Sequence, residues 1–374
     1  MTAGAVGVII FNEGNTPDRQ NALFIDNSID ATAPAVISSF ALGKELYDAY
    51  QAGDNPTVDF QTFGRERDRF FDQVVAETPE GDPNNVVVVG AHLDSVEAGP
   101  GINDDGSGTA LLLTMAQRLA RPGHPLRQKI RFGWWGGEEE GLIGSNYYAA
   151  NLTADEVSKI DVMLDYDMLS SPNYARLLYD GDGSEEGNPA GPDGSGTVEE
   201  VFREWFSSKR QPVWPIPFDG RSDYVGFTTR GIPAGGVFAG AEGQKTENQE
   251  RLLGGDAGSW YDPCYHQACD DITTVMTGVP PLEATGLAFD IPIAQRTDAD
   301  RALAAVKMRG GARRSMVELG AAATYATWYF GTVRDPFGTG ASTASIARKT
   351  ASKQAKLRAR RFVAKYNGHE KVAR

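Results

Sequence analysis

The chain has 374 residues, 41% of them hydrophobic and 23% charged, an ordinary globular composition with room for one large domain and some additions. Fifty acidic residues against 36 basic ones leave a net charge of −14, which makes nucleic acid and anionic membrane poor partners for the whole molecule. The charge is uneven, because ten of the basic residues and only one acid fall between Ser345 and Arg374.

In chain order, GVIIF and APAVIS are short strand-like runs, and ALGKELYDAYQAG reads as a helix ending at Gly53, with Asn55-Pro56 marking a boundary. Four consecutive valines in NNVVVVGAHLDS predict a strand buried on both faces of a mostly parallel sheet. GTALLLTMAQRLAR then predicts a helix, KIRFGWW a strand, GLIGSNYYAANL a helix, TADEVSKI a short capped helix and DVMLDYDM a strand. GTVEEVFREWFSSKR has an amphipathic helical pattern and IPAGGVFAG is a Gly-broken strand. Strands alternating with helices argue for an α/β fold, a mostly parallel central sheet with helices on both faces. Beyond about residue 295 the pattern weakens to one terminal helix, VELGAAATYATWYFG, and a basic, apolar-poor tail that should be solvated.

No apolar run reaches the roughly 18 residues of a membrane span. The first residues lack a basic region ahead of an apolar run and a clear cleavage site, so they read as a buried strand rather than a signal peptide. The two cysteines, Cys264 and Cys269 in DPCYHQACD, are not a CxxC pair and have no second pair with which to build a structural zinc site. A small disulfide loop is the better expectation, and it implies an oxidising compartment.

Chemistry has few histidines to draw on: His92, His124, His266 and His369. His92 follows the valine strand, where open α/β sheets place ligand-binding residues. Asp104 and Asp105 lie in the Gly-rich GINDDGSG that opens the next helix, Glu138, Glu139 and Glu140 follow the KIRFGWW strand, and Asp165 and Asp167 end DVMLDYDM. Singly, each has a plain structural reading: a hydrogen-bonded His, a helix cap, a solvated acidic loop. His124 reads as a loop residue and His369 as part of the tail. Together, neutral imidazoles and hard carboxylates without thiolate suit zinc, and less well manganese or cobalt. Two His and three carboxylates are too many for one tetrahedral ion but suit two ions roughly 3.5 to 4 Å apart with one Asp bridging, and a further carboxylate is then needed to take a proton from water. A glycosidase would not call for histidines at two strand ends, and a serine hydrolase would need a GxSxG elbow that the sequence lacks.

Six segments in one order, VVVVGAHLDSVEAGPGINDDGSGTA, RFGWWGGEEEGLIGSNYY, DYDMLSSPN, DGRSDYVGF, GGVFAGAEGQKT and YDPCYHQACD, cover most of residues 85 to 275. They resemble the secreted bacterial co-catalytic zinc aminopeptidases of the leucine aminopeptidase or aminopeptidase S type. That resemblance implies a zinc exopeptidase fold with two zinc ions per chain: His92 and Asp167 as ligands of one, Glu139 and His266 of the other, and Asp104 bridging. It makes Glu138 the general base that moves the proton of the attacking water to the leaving amine. Tyr265 and Arg221 would steady the carbonyl, Asp94 would orient the His92 ring, and Phe238 would line a pocket for an apolar N-terminal side chain. Glu140 stands where the family usually has an apolar residue, and a solvated neighbour is expected. GAVGVIIFNEGN with PAVISSFALGKEL resembles the later part of a protease-associated domain, which implies a partial module over 1–60, a catalytic domain over 61–300 and an extension with a basic tail over 301–374.

The resemblance further implies peptide substrates with a free N-terminus, no nucleic-acid or membrane partner, a monomer and secretion, the chain lacking its natural front. The basic tail has no counterpart in the family, no calcium site is matched although calcium stays open, and the acids that grip the substrate amine are unplaced beyond a share for Asp167. Three alternatives stay open: a di-zinc carboxypeptidase or other amide hydrolase on the same fold, a non-catalytic binding protein, whose mark would be a lost ligand or base, and a damaged enzyme, since half of a protease-associated module cannot bury its own core.

Overall fold

A computed structural model describes residues 6–11, 14, 20, 34–59, 70–121, 123, 125–271, 310–333 and 336–337, in two compact units, Met1–Phe70 and Phe71–Arg374. His124, His369 and the basic tail lie outside the described residues.

In the first unit two short strands, β1 (Val8–Phe11) and β2 (Ala35–Ser38), pair in parallel, and α1 (Phe40–Ala52) follows directly. Ser39 caps α1 by accepting from the Leu42 N–H, and Gly53 ends it at φ 86°, a left-handed conformation that favours glycine. The Phe11 and Phe40 rings, 6.5 Å apart, join strand to helix.

The second unit is built on seven strands: β3 (Val74–Glu77), β4 (Asp82–His92), β5 (Gln128–Trp135), β6 (Ile160–Asp165), β7 (Leu177–Tyr179), β8 (Trp214–Ile216) and β9 (Ala234–Phe238). Their order is β3-β5-β4-β6-β9-β7-β8, antiparallel only where β3 meets β5 and where β7 meets β9. This is the mostly parallel sheet that the alternating pattern predicts. Its helices are α2 (Gly106–Leu119), α3 (Ile143–Asn151), α4 (Ala154–Val157), α5 (Ser195–Ser208), α6 (Tyr224–Thr229), α7 (Glu247–Leu253) and α8 (Gly310–Thr332).

The valine run shows why the sheet is covered on both sides. Val87 and Val89 pack with Leu111, Leu112 and Met115 of α2, Val198 and Phe202 of α5, and α8; Val86 and Val88 pack with Ala149 of α3 and with Tyr224 and Phe227 of α6. A valine buried this completely contributes about 1.5–3 kcal/mol relative to an exposed one. Trp134 and Trp135 part in the same way, one into each core. Gly133 makes room for the Trp135 ring, which a side chain there would overlap.

Several elements escape the sequence pattern. β7 and β8 have three residues each, too few to show a period, and Pro215 inside β8 is tolerated because that strand is an edge. The terminal helix α8 is longer than its apolar stretch suggests and packs into the main core. Ala312, Met316, Leu319, Ala323, Ala326 and Phe330 are all buried in that core, and the Tyr166 hydroxyl donates to the Ala323 carbonyl at 2.8 Å. Small alanines at helical spacing read as weakly apolar in sequence, yet they allow close approach to the sheet.

Candidate metal centre

The carboxyl ends of β4, β5 and β6 carry the acids and imidazole singled out in the sequence. His92 is the last residue of β4, Glu138 and Glu139 follow the end of β5, and Asp167 lies two residues past β6. Asp105 ties these ends together: its carboxylate accepts the backbone N–H groups of His92 (3.1 Å), Gly108 (3.0 Å) and Met168 (3.0 Å). One carboxylate therefore caps α2 and clamps the ends of two strands. A side chain at Gly108 would collide with the Tyr166 carbonyl, so only glycine lets α2 come this close.

Asp104 does the opposite and faces the cleft. Its Oδ1 stands 3.1 Å from His92 Nε2, and its Oδ2 stands 3.2 Å from His266 Nε2. Glu139 Oε2 is 2.9 Å from the same His266 nitrogen, and Asp167 Oδ1 is 3.7 Å from His92 Nε2, too far for a hydrogen bond. Asp104, Glu139 and His266 each bring one donor atom within 4.8 Å of the others, and so do His92, Glu138 and Glu139. Asp105 also falls within that distance of His92 and Asp167, but its oxygens are taken by backbone N–H groups. Glu139 Oε1 and Asp167 Oδ1 are buried without a hydrogen-bond partner among the described residues. Buried oxygens without partners are costly, and a divalent cation between imidazole and carboxylate would satisfy them, so these residues could hold zinc.

The electrostatics of the metal-free site point the same way. Burial alone would lower the affinity of His266 for a proton, but hydrogen bonds to Asp104 and Glu139 raise its pKa to about 9. His92 shifts upward too: burial opposes this, and the charges of Glu138 and Asp167 with the Asp104 hydrogen bond outweigh it. The protons do there what a cation would do. Burial pushes the Glu138 carboxyl well above the usual range, and the nearby charges of Asp223, Asp167 and Glu139 add to this.

Asp94 touches both the His92 ring and the acidic loop. The His92 Nδ1 partner is the Asp94 main-chain carbonyl at 3.0 Å, while the Asp94 carboxylate lies 3.8 Å from that nitrogen. Its two oxygens instead accept the backbone N–H groups of Glu138 (3.1 Å) and Glu139 (3.2 Å). Asp94 therefore holds ring and acidic loop together, one through its carbonyl and the other through its carboxylate.

A cavity of about 150 Å³ opens over the cluster, lined among others by Asp104, Glu138, Glu139, Asp167, Asp219, Arg221, Tyr265 and His266, with Met168, Tyr179, Ile216 and Phe238 on its walls. Arg221 Nη2 donates to the Tyr265 hydroxyl at 3.0 Å, and Glu242 grips the same guanidinium at 2.7 and 3.3 Å. Because Tyr265 accepts from Arg221, its own hydroxyl proton is free to point elsewhere. The disulfide Cys264–Cys269, with Cα atoms 5.2 Å apart, closes the loop bearing Tyr265 and His266. His266 sits at φ 57°, an uncommon conformation for a non-glycine residue.

Sequence pattern alone misses Glu242, Ser222, which donates to Asp167 Oδ2 at 2.9 Å, Asp219 on the cavity wall, and the buried Asp270. All four lie inside the quoted segments DGRSDYVGF, GGVFAGAEGQKT and YDPCYHQACD, but no pattern within those segments singles them out. A separate acidic group, Asp180, Asp182 and Glu199, has its oxygens engaged by Gly181, Ser184, Glu185, Asn188 and Arg203. It gives calcium no particular support.

One strand-end imidazole, a second from a disulfide-closed loop and carboxylates between them, over a mostly parallel α/β sheet, point to a hydrolytic metal fold. Residues 73–280 match Peptidase family M28, and the chain belongs to that family. It is 44% identical over 289 residues to an aminopeptidase of Pseudomonas aeruginosa, covering 77% of this chain and 53% of that protein. It is likewise 44% identical over 275 residues to the probable leucine aminopeptidase 2 of Aspergillus fumigatus, covering 73% and 54%. The chain thus spans about half the length of these curated relatives. Among solved structures, an aminopeptidase from Aneurinibacillus sp. strain AM-1 superposes with a TM-score of 0.55 at 22% identity, over 88% of this chain and 64% of that one. A Bacillus subtilis zinc aminopeptidase gives 0.54 at 21%, over 87% and 64%. These two likenesses carry the fold.

Proposed function

We propose that this chain is a zinc-dependent aminopeptidase that removes the N-terminal residue of peptides, with a preference for apolar residues. The observation that carries the reading is the divided Asp104 carboxylate, one oxygen toward His92 and the other toward His266. Around it, His92 and Asp167 would hold one zinc, Glu139 and His266 a second, and Asp104 both. Zinc bound there supplies positive charge that polarises the scissile carbonyl and makes water more acidic.

The chain's own residues do the rest. Glu138, buried beside the cluster, takes the proton of the attacking water and passes it to the leaving amine. Burial pushes the Tyr265 phenol up, so it stays neutral and donates to the carbonyl oxygen, with Arg221 beside it as charge develops. Asp167 and Asp219 offer negative charge to the substrate ammonium, and Phe238, Ile216 and Met168 give the side-chain pocket an apolar wall. The peptide is the only partner the site calls for, and the chain acts as a monomer. No helix among the described residues is long and apolar enough to cross a membrane. The disulfide supports an oxidising, secreted setting. The parallel pair with its helix supports reading residues 1–60 as part of a protease-associated domain; 61–300 are read as the catalytic domain and 301–374 as an extension whose helix α8 packs into that core.

The test is hydrolysis of a leucine chromogenic amide beside its N-acetylated twin, before chelation, after it, and after zinc is returned. Activity on the free amide alone, lost on chelation and regained with zinc, is expected. Equal cleavage of the blocked substrate would remove the aminopeptidase reading and favour another amide hydrolase.

A further inference from the structure

The segment from Asp262 to Asp270 does more than present Tyr265 and His266. Both of its end acids are buried, and both reach across to the loop that holds Asp104. Asp262 Oδ2 accepts from Asn103 Nδ2 at 2.5 Å. Asp270 divides its carboxylate, Oδ1 accepting the backbone N–H of Asn103 at 2.8 Å and Oδ2 that of Asp104 at 3.0 Å. The Asp270 carbonyl accepts from the Ile102 N–H at 3.2 Å, and its own N–H returns to Gln267 O at 3.0 Å. Three consecutive residues, Ile102 to Asp104, therefore hang on one residue of the loop that carries His266.

We infer that Asp270 is a positioning residue that fixes the Asp104 carboxylate relative to His266 and thereby sets the zinc affinity of the His266 side of the centre. This rests on the two-zinc reading. Charge-assisted bonds to two successive N–H groups leave the Asp104 backbone little freedom, and a zinc site tolerates ligand displacements of only about 0.2 Å. The effect must fall mainly on the His266 side, where Asp104 and His266 both depend on this tie, whereas on the other side only the shared Asp104 does. His92 and Asp167 stand at the ends of β4 and β6, which are held in register down to Gly90 and Asp165, and Asp105 clamps them without help from the 262–270 segment. An amide at position 270 would offer one acceptor to two N–H groups and turn its own N–H₂ toward one of them.

The experiment is zinc titration of the full chain, stripped of metal, against a chromophoric chelator, with Asp270→Asn compared to the unaltered protein. The variant is expected to bind its first equivalent with little loss and its second roughly ten- to a hundred-fold more weakly, with turnover restored by excess zinc. Unchanged affinity for both equivalents, equal loss at both, or a rate defect that excess zinc does not repair would each overturn the inference. If the amide variant does not fold, Asp270→Glu keeps both acceptors on a longer stem and must show the same uneven loss, to a smaller degree. Fewer than two equivalents in the unaltered chain would bring down the two-zinc reading itself, and this inference with it.

Discussion

Replacing Glu138 by Gln tests the division of labour inside the acidic row most directly. The change is isosteric, and the Glu138 N–H that Asp94 accepts at 3.1 Å is main chain and unaffected, so the loop should keep its place. What goes is a buried carboxylate whose proton affinity is raised by burial and by Asp223, Asp167 and Glu139, as suits a group that must accept a proton and later release it. A positioned general base contributes about 10²–10⁴ in rate, or about 3–5 kcal/mol at the transition state. Turnover of the leucine amide should fall by that factor while KM changes little, and zinc content should match the unaltered protein. Glu139→Gln should behave differently: Glu139 Oε2 stands 2.9 Å from His266 and its Oε1 is the buried oxygen without a partner, so this variant should lose zinc along with rate. Metal analysis beside kinetics separates the two. Equal zinc loss in both variants, or a Glu138→Gln rate within roughly tenfold of the original, below the range expected of a general base, would refute the assignment.

Three further outcomes are expected. Asp105→Asn, which leaves one acceptor for three backbone N–H groups, should destabilise the metal-free protein by about 2–4 kcal/mol in denaturant unfolding, and a loss under about 1 kcal/mol would contradict the clamp described for it. Glu242→Ala should lower kcat/KM by roughly tenfold by freeing the Arg221 guanidinium, with almost no change in Tm because the pair is half exposed, and Glu242→Gln should recover part of the rate. Zinc uptake at pH 7 should release protons, measurable with an indicator in weak buffer, because His266 carries one in the metal-free protein up to about pH 9. The sign for stability is the reverse: with its pKa raised from 6.5 to about 9 in the fold, protonated His266 stabilises the metal-free chain fully below pH 6.5, and that contribution is lost as pH rises through 9.

Much of the fold was legible because long apolar elements declare their period. The valine strand and the GTALLLTMAQRL helix stand close to where the pattern places them. Three-residue strands cannot show alternation, and the alanine-rich α8 looks only mildly apolar although Ala322, Ala323 and Ala326 are completely buried. The gathering of these acids and imidazoles was legible as a set, although each residue alone had a structural reading and Asp105 turned out to have one. The supports were not. Asp270 and Glu242 hold, respectively, the main chain of Asn103 and Asp104 and the Arg221 guanidinium, far away in sequence. A solvated acid has the same letter as one that accepts two buried N–H groups.

At two places in this site a residue facing the cluster stands beside an acid that holds the frame. Asp104 turns both oxygens toward imidazoles while Asp105 turns its own to three backbone N–H groups. His92 and Asp94 repeat the arrangement two residues apart, one ring in the cluster and one carboxylate gripping Glu138 and Glu139 from behind. A cluster of like charges would open if its carboxylates were free to swing apart. Fixing Asp104, Glu138 and Glu139 through their own main chains, with a second acid as the clamp, keeps the repulsion in place until a cation or proton relieves it. The clamps are carboxylates because no neutral side chain accepts two or three N–H groups so well, and so a site that binds cations is framed by further negative charge.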